Sequence, residues 1–412
     1  MRNKQYDVVI VGCGPGGAMA GKFAASSGAE TLILEDKRQI GYPNPDPMSI
    51  IYSKSELEEV TGEEIEPATI HSRAEGLSYI SPGGKEREPH LLADGLFVNR
   101  PLLERSLAMG AVRAGAELVL HTRVVDVVKK DGAVKGVIAH TSSGFETISC
   151  SVVVAADGYY QYVAQRAGIK FPDAAVDMNM GCDFVGVKPL GGAHRIDEIY
   201  LDDSGEAQYR FVVPYADDRF SLGIGVGRAA VKKKKTLKQR LYDLVRHLEA
   251  LKRYDFSKAS PVSMIAASQA VRMGSVLAAD GIILVGTATG GVIYGSRCGG
   301  NFVIPGACWT GRIAAKTAIE AVRKGDVSKS SLERPYKALI DESLKGEGPD
   351  VIEALASWQQ IRGLSPQKQD EVVAEIGQEV ATLHFYKMGA LPLRASLEPV
   401  RKWLKENEGG ES

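Results

Sequence analysis

Three glycines with fixed spacing, Gly12, Gly14 and Gly17, stand between two apolar runs, Asp7-Val8-Val9-Ile10-Val11 and Thr31-Leu32-Ile33-Leu34-Glu35. This G-x-G-x-x-G pattern, with Pro15 inside it, has a definite chemistry. The first glycine permits a tight strand-to-helix turn. The second lets a diphosphate approach the backbone, and the third lets helix and strand pack closely. The helix start then offers unpaired N–H groups and the positive end of a dipole to the phosphates. Glu35, at the tip of the second run, has the place and chemistry to accept a ribose hydroxyl. A carboxylate there disfavours a 2′-phosphate, so FAD or NAD suits the turn better than NADP.

Such a turn has to be held by a parallel sheet, and 412 residues suffice for two or three domains around one. Formal net charge is −1, with no global case for nucleic acid or any other polyanionic partner. Five scattered cysteines, none in a C-x-x-C, argue against a disulfide framework or a zinc site, and no histidine has metal-ligand spacing. No signal peptide is expected and no apolar run approaches the length of a bilayer span, so the expected location is cytoplasmic. Residues 39–47 (Gln39 to Pro47) carry three prolines in a stiff loop. Short strands are expected around Pro82-Gly83-Gly84, a helix over 100–114, and a strand over 117–120. A hairpin should run over 124–140 through Asp131-Gly132, and a buried strand should end at Asp157-Gly158. Alternating segments at 208–213 and 220–226 indicate an antiparallel sheet, and helices are expected over 237–252 and 307–323. The fold class is α/β with α+β. A Rossmann-like nucleotide domain is built from 1–76, 97–174 and 270–325. An inserted antiparallel substrate sheet comes from 77–96 and 175–269, and a helical region covers 326–412.

Four separated segments resemble flavoproteins with the para-hydroxybenzoate hydroxylase type of FAD fold. They are the glycine turn, Val98-Asn99-Arg100 at a helix start, Ala155-Ala156-Asp157-Gly158, and Val285-Gly286-Thr287-Ala288. In the last, Thr287 replaces the aspartate that the group places on a ribityl hydroxyl. Within that group the chain resembles the geranylgeranyl reductase family through Tyr209-Arg210-Phe211-Val212-Val213-Pro214, followed after eight residues by Gly223. The family pattern is Y-x-W-x-F-P, so Phe211 stands for Trp and Val213 for Phe. Where the family often carries a cysteine after I-G-x-P, this chain has Asp46, and its late glycine pattern becomes Tyr294 to Asn301. The resemblance implies FAD contacts from Gly12, Gly14, Pro15, Gly17, Glu35, Asp36, Lys37 and Val124. It implies others from Arg100, Asp157, Gly158, Gly286 and Thr287, with Gly299, Gly300 and Asn301 beside the flavin.

The same resemblance implies saturation of isoprenoid C=C bonds, with Tyr209, Phe211, Pro214 and Gly223 lining the substrate. Tyr209 and Phe211, two apart on a strand, share a face, which suits either an aromatic wall or an ordinary sheet core. Alkene reduction needs a hydride from the flavin and a proton from a nearby donor. Tyr209, Tyr294, Cys298 and Asp46 all have suitable chemistry, and the sequence does not choose among them. Electrons would come from NAD(P)H or from reduced ferredoxin, since a second dinucleotide fingerprint is absent. Lys232 to Lys235 form a solvated face or a docking patch for an acidic redox protein or anionic lipid headgroups. Residues 383–394 mix apolar and basic groups and either pack on the body or touch the inner face of a membrane. An FAD monooxygenase of the same fold, or an electron-transfer flavoprotein serving a quinone or a protein partner, are the alternatives.

Overall fold

The computed structural model describes residues 4–42, 48–51, 53–86, 90–171, 175–190, 196–200, 209–215, 218–227, 235–271, 276–289, 303–343, 348–384 and 393–407. Strand β1 (Tyr6–Val11) is apolar on both faces and lies at the centre of a parallel sheet. On one side it pairs with β2 (Thr31–Leu34) and beyond that with Glu117–Val119. On the other it pairs with the end of Gly144–Ala155 and then Ile282–Leu284. Helix α1 (Pro15–Ser26), the Arg100–Arg113 helix and the Val303–Lys324 helix cover one face, where Met19, Ala111 and Ala314 are buried together. The opposite face is covered by a meander, Arg123–Lys130 and Ala133–Thr141 continuing into Gly144–Ala155. Val127, Val137 and Ile148 of the meander pack there on Val9 and Leu32.

A second, seven-stranded sheet runs in the order Ser260–Val271, Ala175–Val185, Arg219–Gly227, Tyr209–Pro214, Ile196–Tyr200, Gly76–Ile80 and His90–Leu91. It is antiparallel except where Ile196–Tyr200 lies parallel to Gly76–Ile80. That parallel pair departs from the expected all-antiparallel insert: the two strands are more than a hundred residues apart and need no hairpin. The amphipathic Leu237–Ala250 helix covers one face, burying Leu241, Leu244 and Leu248 against Val212, Leu222 and Ile224. A three-stranded sheet of Met48–Ile51, Leu96–Asn99 and Ile70–Arg73, absent from the sequence expectation, stands apart from the two larger sheets. Among the described residues, the C-terminal helices Lys329–Ser343, Gly348–Gly363, Pro366–His384 and Leu393–Asn407 share one core cluster with the body of the protein. Trp358 stacks edge-on against Tyr79 of the seven-stranded sheet, and Tyr336 donates to the carbonyl of Leu284.

Candidate active site

The glycine turn shows why its residue types are needed. Gly12 has φ +94°, and a Cβ there would lie 2.5 Å from the carbonyl oxygen of Ala156. A Cβ on Gly17 would lie 1.9 Å from the carbonyl oxygen of Gly12. These two glycines bring the helix start against the strand ends. Gly14 differs. It caps α1 with ordinary backbone angles (φ −71°, ψ −175°), and among the described residues nothing lies within 4 Å of its Cβ position. An open approach at the N-terminus of a twelve-residue helix suits a diphosphate.

At the tip of β2 the Glu35 carboxylate is 8% exposed and engaged with backbone. Oε2 accepts from Cys13 N–H at 2.7 Å and Oε1 from Lys37 N–H at 2.9 Å. The sequence expectation reserved this carboxylate for a ribose. Each oxygen has a further lone pair, so both bonds are compatible with that use. Arg123 grips Asp36 through Nε and a guanidinium nitrogen, with the closest contact 2.7 Å, and Val124 is buried in the next strand position.

The Asp157-Gly158 segment and the Gly286–Thr289 turn converge on the same edge. Gly158 has φ +72°, and its Cβ position lies 3.7 Å from Thr287 Oγ1. Gly286 N–H donates to Thr310 Oγ1 at 3.2 Å, which ties this turn to the Val303–Lys324 helix. Asp157 Oδ2 accepts from Val163 N–H at 2.9 Å, while Oδ1 is buried with no hydrogen-bond partner among the described residues. Burial pushes the Asp157 carboxyl above the usual carboxylate range, offset in part by backbone N–H donors. A buried acceptor without a donor is what a cofactor hydroxyl would satisfy.

Arg100 opens its helix behind the Asn99 cap, whose side chain accepts from Leu102 N–H, and its Nε donates to the buried Glu104 at 2.9 Å. Sequence reasoning missed Glu104. Its only signal is the i, i+4 spacing from Arg100.

On the seven-stranded sheet, Phe211 and Gly223 are register partners, and the Phe211 ring fills the glycine's side-chain space, 1.8 Å from its Cβ position. Phe211, Val213 and Tyr215 face away from the covering helix toward Phe97 of the three-stranded sheet. Pro214 is buried opposite Phe220, and Tyr209 pairs with Gly225. Beside Tyr215 lies His71, which contacts Arg219 at 3.0 Å, a cluster the sequence did not announce. Asp46, Tyr294, Cys298, Gly299, Gly300, Asn301 and Lys232 to Lys234 lie outside the described residues, as does most of 383–394. Lys235 is paired with Asp243 at 2.8 Å. Cys13, Cys150, Cys182 and Cys308 are buried thiols; burial pushes Cys182 up to about 11 and Cys150 up to about 12. Among the described residues no helix is long and apolar enough to cross a membrane.

The fold and the convergence of these turns define a flavoprotein oxidoreductase. The chain belongs to the FAD-dependent oxidoreductase family, whose pattern matches residues 54–317, more than half its length. It is 28% identical over 382 residues to digeranylgeranylglycerophospholipid reductase 1 of Methanothermobacter thermautotrophicus, covering 91% of each chain. It is 27% identical over 425 residues to the digeranylgeranylglycerophospholipid reductase of Methanosarcina mazei, covering 98% of this chain and 95% of that one. Among solved structures, a geranylgeranyl bacteriochlorophyll reductase-like protein of Thermoplasma acidophilum superposes with a TM-score of 0.81 at 22% identity, covering 98% and 99% of the two chains. The flavin-dependent brominase Bmp2 shares the fold with a TM-score of 0.74 at 17% identity.

Proposed function

We propose that this FAD-dependent oxidoreductase saturates carbon–carbon double bonds of an isoprenoid chain, such as the geranylgeranyl groups of a lipid. The observation that carries the reading is the match, nearly end to end, to reductases named for digeranylgeranylglycerophospholipid. The apolar sheet face at Phe211 and Gly223 suits such a substrate. FAD, when bound, supplies the hydride; the protein's part is placement and proton supply.

Gly14 and the N–H groups of the first turn of α1 would hold the diphosphate, with Gly12, Pro15 and Gly17 shaping the turn. Glu35, Asp36, Lys37 and Val124 would frame the adenosine end. Arg100, Asp157, Gly158, Gly286 and Thr287 would line the middle of the cofactor, with Gly299, Gly300 and Asn301 at the flavin. Asp157 Oδ1 has the open acceptor capacity for a hydroxyl there. The substrate chain would lie on Tyr209, Phe211, Pro214 and Gly223, and the proton would come from Tyr209, Tyr294, Cys298 or Asp46. NAD(P)H or reduced ferredoxin would reload the flavin. Peripheral contact with the inner face of a membrane would give access to a lipid substrate.

Anaerobic incubation of the dithionite-reduced protein with geranylgeranyl lipids tests the reading. We expect flavin reoxidation coupled to a mass gain of two hydrogens per reduced bond. An oxygenated product formed only in air would instead establish the monooxygenase alternative. Salt-sensitive electron delivery to a quinone or protein, with no small-molecule turnover, would establish the electron-transfer one.

A further inference from the structure

Lys329, Glu333 and Tyr336 share one face of the Lys329–Ser343 helix and lay it along the paired strands Ala278–Ala279 and Ile282–Leu284. Lys329 N–H donates to Asp280 Oδ1 at 2.6 Å, and Glu333 Oε1 accepts from Leu277 N–H at 3.1 Å. At the far end the Tyr336 hydroxyl donates to the Leu284 carbonyl at 3.0 Å. The first two anchors are exposed or part-buried, whereas Tyr336 is 0% exposed. A phenylalanine would fill the same space. A buried phenol costs free energy unless its O–H is bonded, so what the hydroxyl holds is the informative point.

It holds both supports of the Gly286–Thr289 turn. Leu284 ends its strand just before Gly286, and Val285 N–H fixes that end to the Ala155 carbonyl at 2.9 Å. The same Tyr336 hydroxyl lies 3.5 Å from the Thr310 carbonyl on the Val303–Lys324 helix. Thr310, also 0% exposed, places its own proton on the Gly306 or Ala307 carbonyl, which leaves Oγ1 to accept from Gly286 N–H. One phenol therefore spans the strand that enters the turn and the helix residue that receives the turn's first N–H. Within that turn, Thr287 Oγ1 stands 3.7 Å from the Cβ position of Gly158.

We propose that Tyr336 is a positioning residue for FAD. It fixes the end of the Ile282–Leu284 strand against Thr310, so that Gly286 and Thr287 are held beside Asp157-Gly158, and it acts on the cofactor only through that turn. The inference rests on the reading of Gly286 and Thr287 as cofactor contacts. It adds that a side chain outside residues 54–317, the segment that matches the family pattern, sets the geometry of one of those contacts. The C-terminal helical region thereby takes part in cofactor binding. Removing the hydroxyl would loosen the turn while the aromatic ring goes on filling its place.

FAD titration of the flavin-stripped full-length protein tests this, with an apoprotein melt recorded for each of three variants. Tyr336→Phe removes only the hydroxyl. Glu333→Ala removes the anchor one turn earlier on the same helix, away from the Gly286–Thr289 turn. Thr287→Val removes a hydroxyl of the turn itself and keeps its shape. We expect Tyr336→Phe to raise the Kd for FAD about three- to tenfold, the effect of one hydrogen bond. Thr287→Val should raise it by a similar factor, and Glu333→Ala should lower the apoprotein melting temperature while binding FAD like wild type. A Tyr336→Phe protein that binds FAD like wild type while Thr287→Val does not would overturn the positioning role and leave the turn's contact standing. Equal loss of affinity in Tyr336→Phe and Glu333→Ala would reduce Tyr336 to one more helix anchor and overturn the role as well. Unchanged affinity in both Tyr336→Phe and Thr287→Val would overturn the positioning role together with the reading of the turn as a cofactor contact.

Discussion

The contrast between Gly14 and Gly17 gives a test in which one methyl group separates cofactor binding from folding. At Gly14 the backbone angles suit any residue, and a Cβ meets nothing among the described residues. Gly14→Ala gives up a better helix cap, costing about 0.5 to 1 kcal/mol. It also removes glycine's freedom from the unfolded chain, worth about 0.4 to 1 kcal/mol in the other direction. The two nearly cancel, so the apoprotein should melt within about 3 °C of wild type. The same methyl would stand where a diphosphate must approach. Losing one charge-assisted hydrogen bond costs about 1.5 to 3 kcal/mol, which is about a 10- to 100-fold rise in Kd. At Gly17 the Cβ would lie 1.9 Å from the Gly12 carbonyl oxygen, a backbone atom that cannot swing away. Gly17→Ala should therefore unseat α1 from the sheet, at a cost near or above the roughly 3 kcal/mol upper range for overpacking. Titrating flavin-stripped protein with FAD by fluorescence quenching, beside thermal melts of both apoproteins, reads the two effects separately. A Gly14→Ala protein that binds FAD as tightly as wild type would refute the placement of the diphosphate. One whose apoprotein melts as low as Gly17→Ala would refute the claim that the position is open.

Other perturbations follow from the same contacts. Burial raises the Asp157 carboxyl, so its contribution to stability is fully present below the unfolded pKa near 3.9 and is lost as pH rises through the folded value. Asp157→Asn apoprotein should therefore melt above wild type at pH 7, with the gap closing as pH falls toward 4, while its FAD affinity declines; pH-dependent melts and a titration check both. Glu35→Gln leaves one oxygen for two N–H donors, so either Cys13 N–H or Lys37 N–H is orphaned. We expect a stability loss of about 1 to 3 kcal/mol in denaturant melts. Arg123→Ala breaks an exposed pair with Asp36, side chains 66% and 51% exposed, and should change stability by less than about 1 kcal/mol in the same assay. Gly223→Ala would put a methyl into the Phe211 ring, so turnover of an isoprenoid substrate should fall sharply while FAD titrates normally.

Local order was the readable part of this chain. The glycine turn, the Asp131-Gly132 hairpin and the helix starting at Arg100 each depend on residues adjacent in sequence, and each is present. What escaped was non-local. The parallel pairing of Gly76–Ile80 with Ile196–Tyr200 joins segments over a hundred residues apart, and nothing in either strand's alternation encodes its partner. The three-stranded sheet is built from four-residue strands too short to show a period. The Val303–Lys324 helix starts four residues before the expected Ala307 because Pro305 is tolerated in a first turn, where its missing N–H has no partner to lose.

The candidate site divides the same way, and the division has a physical cause. A residue's type announces what it can do; its partner decides what it does. Glu35 looked like a free ribose acceptor, yet two backbone donors already hold it, which turns it into a brace for the glycine turn as well. Phe211 looked like wall or core with equal reason, and the bare Cβ position of Gly223 decided that the ring lies flat on its neighbour strand, on the face turned from the covering helix. Glu104 carried no motif at all; only its burial and its bond from Arg100 mark it out. Motifs therefore announced candidate cofactor contacts, and packing showed which neighbours each of them has.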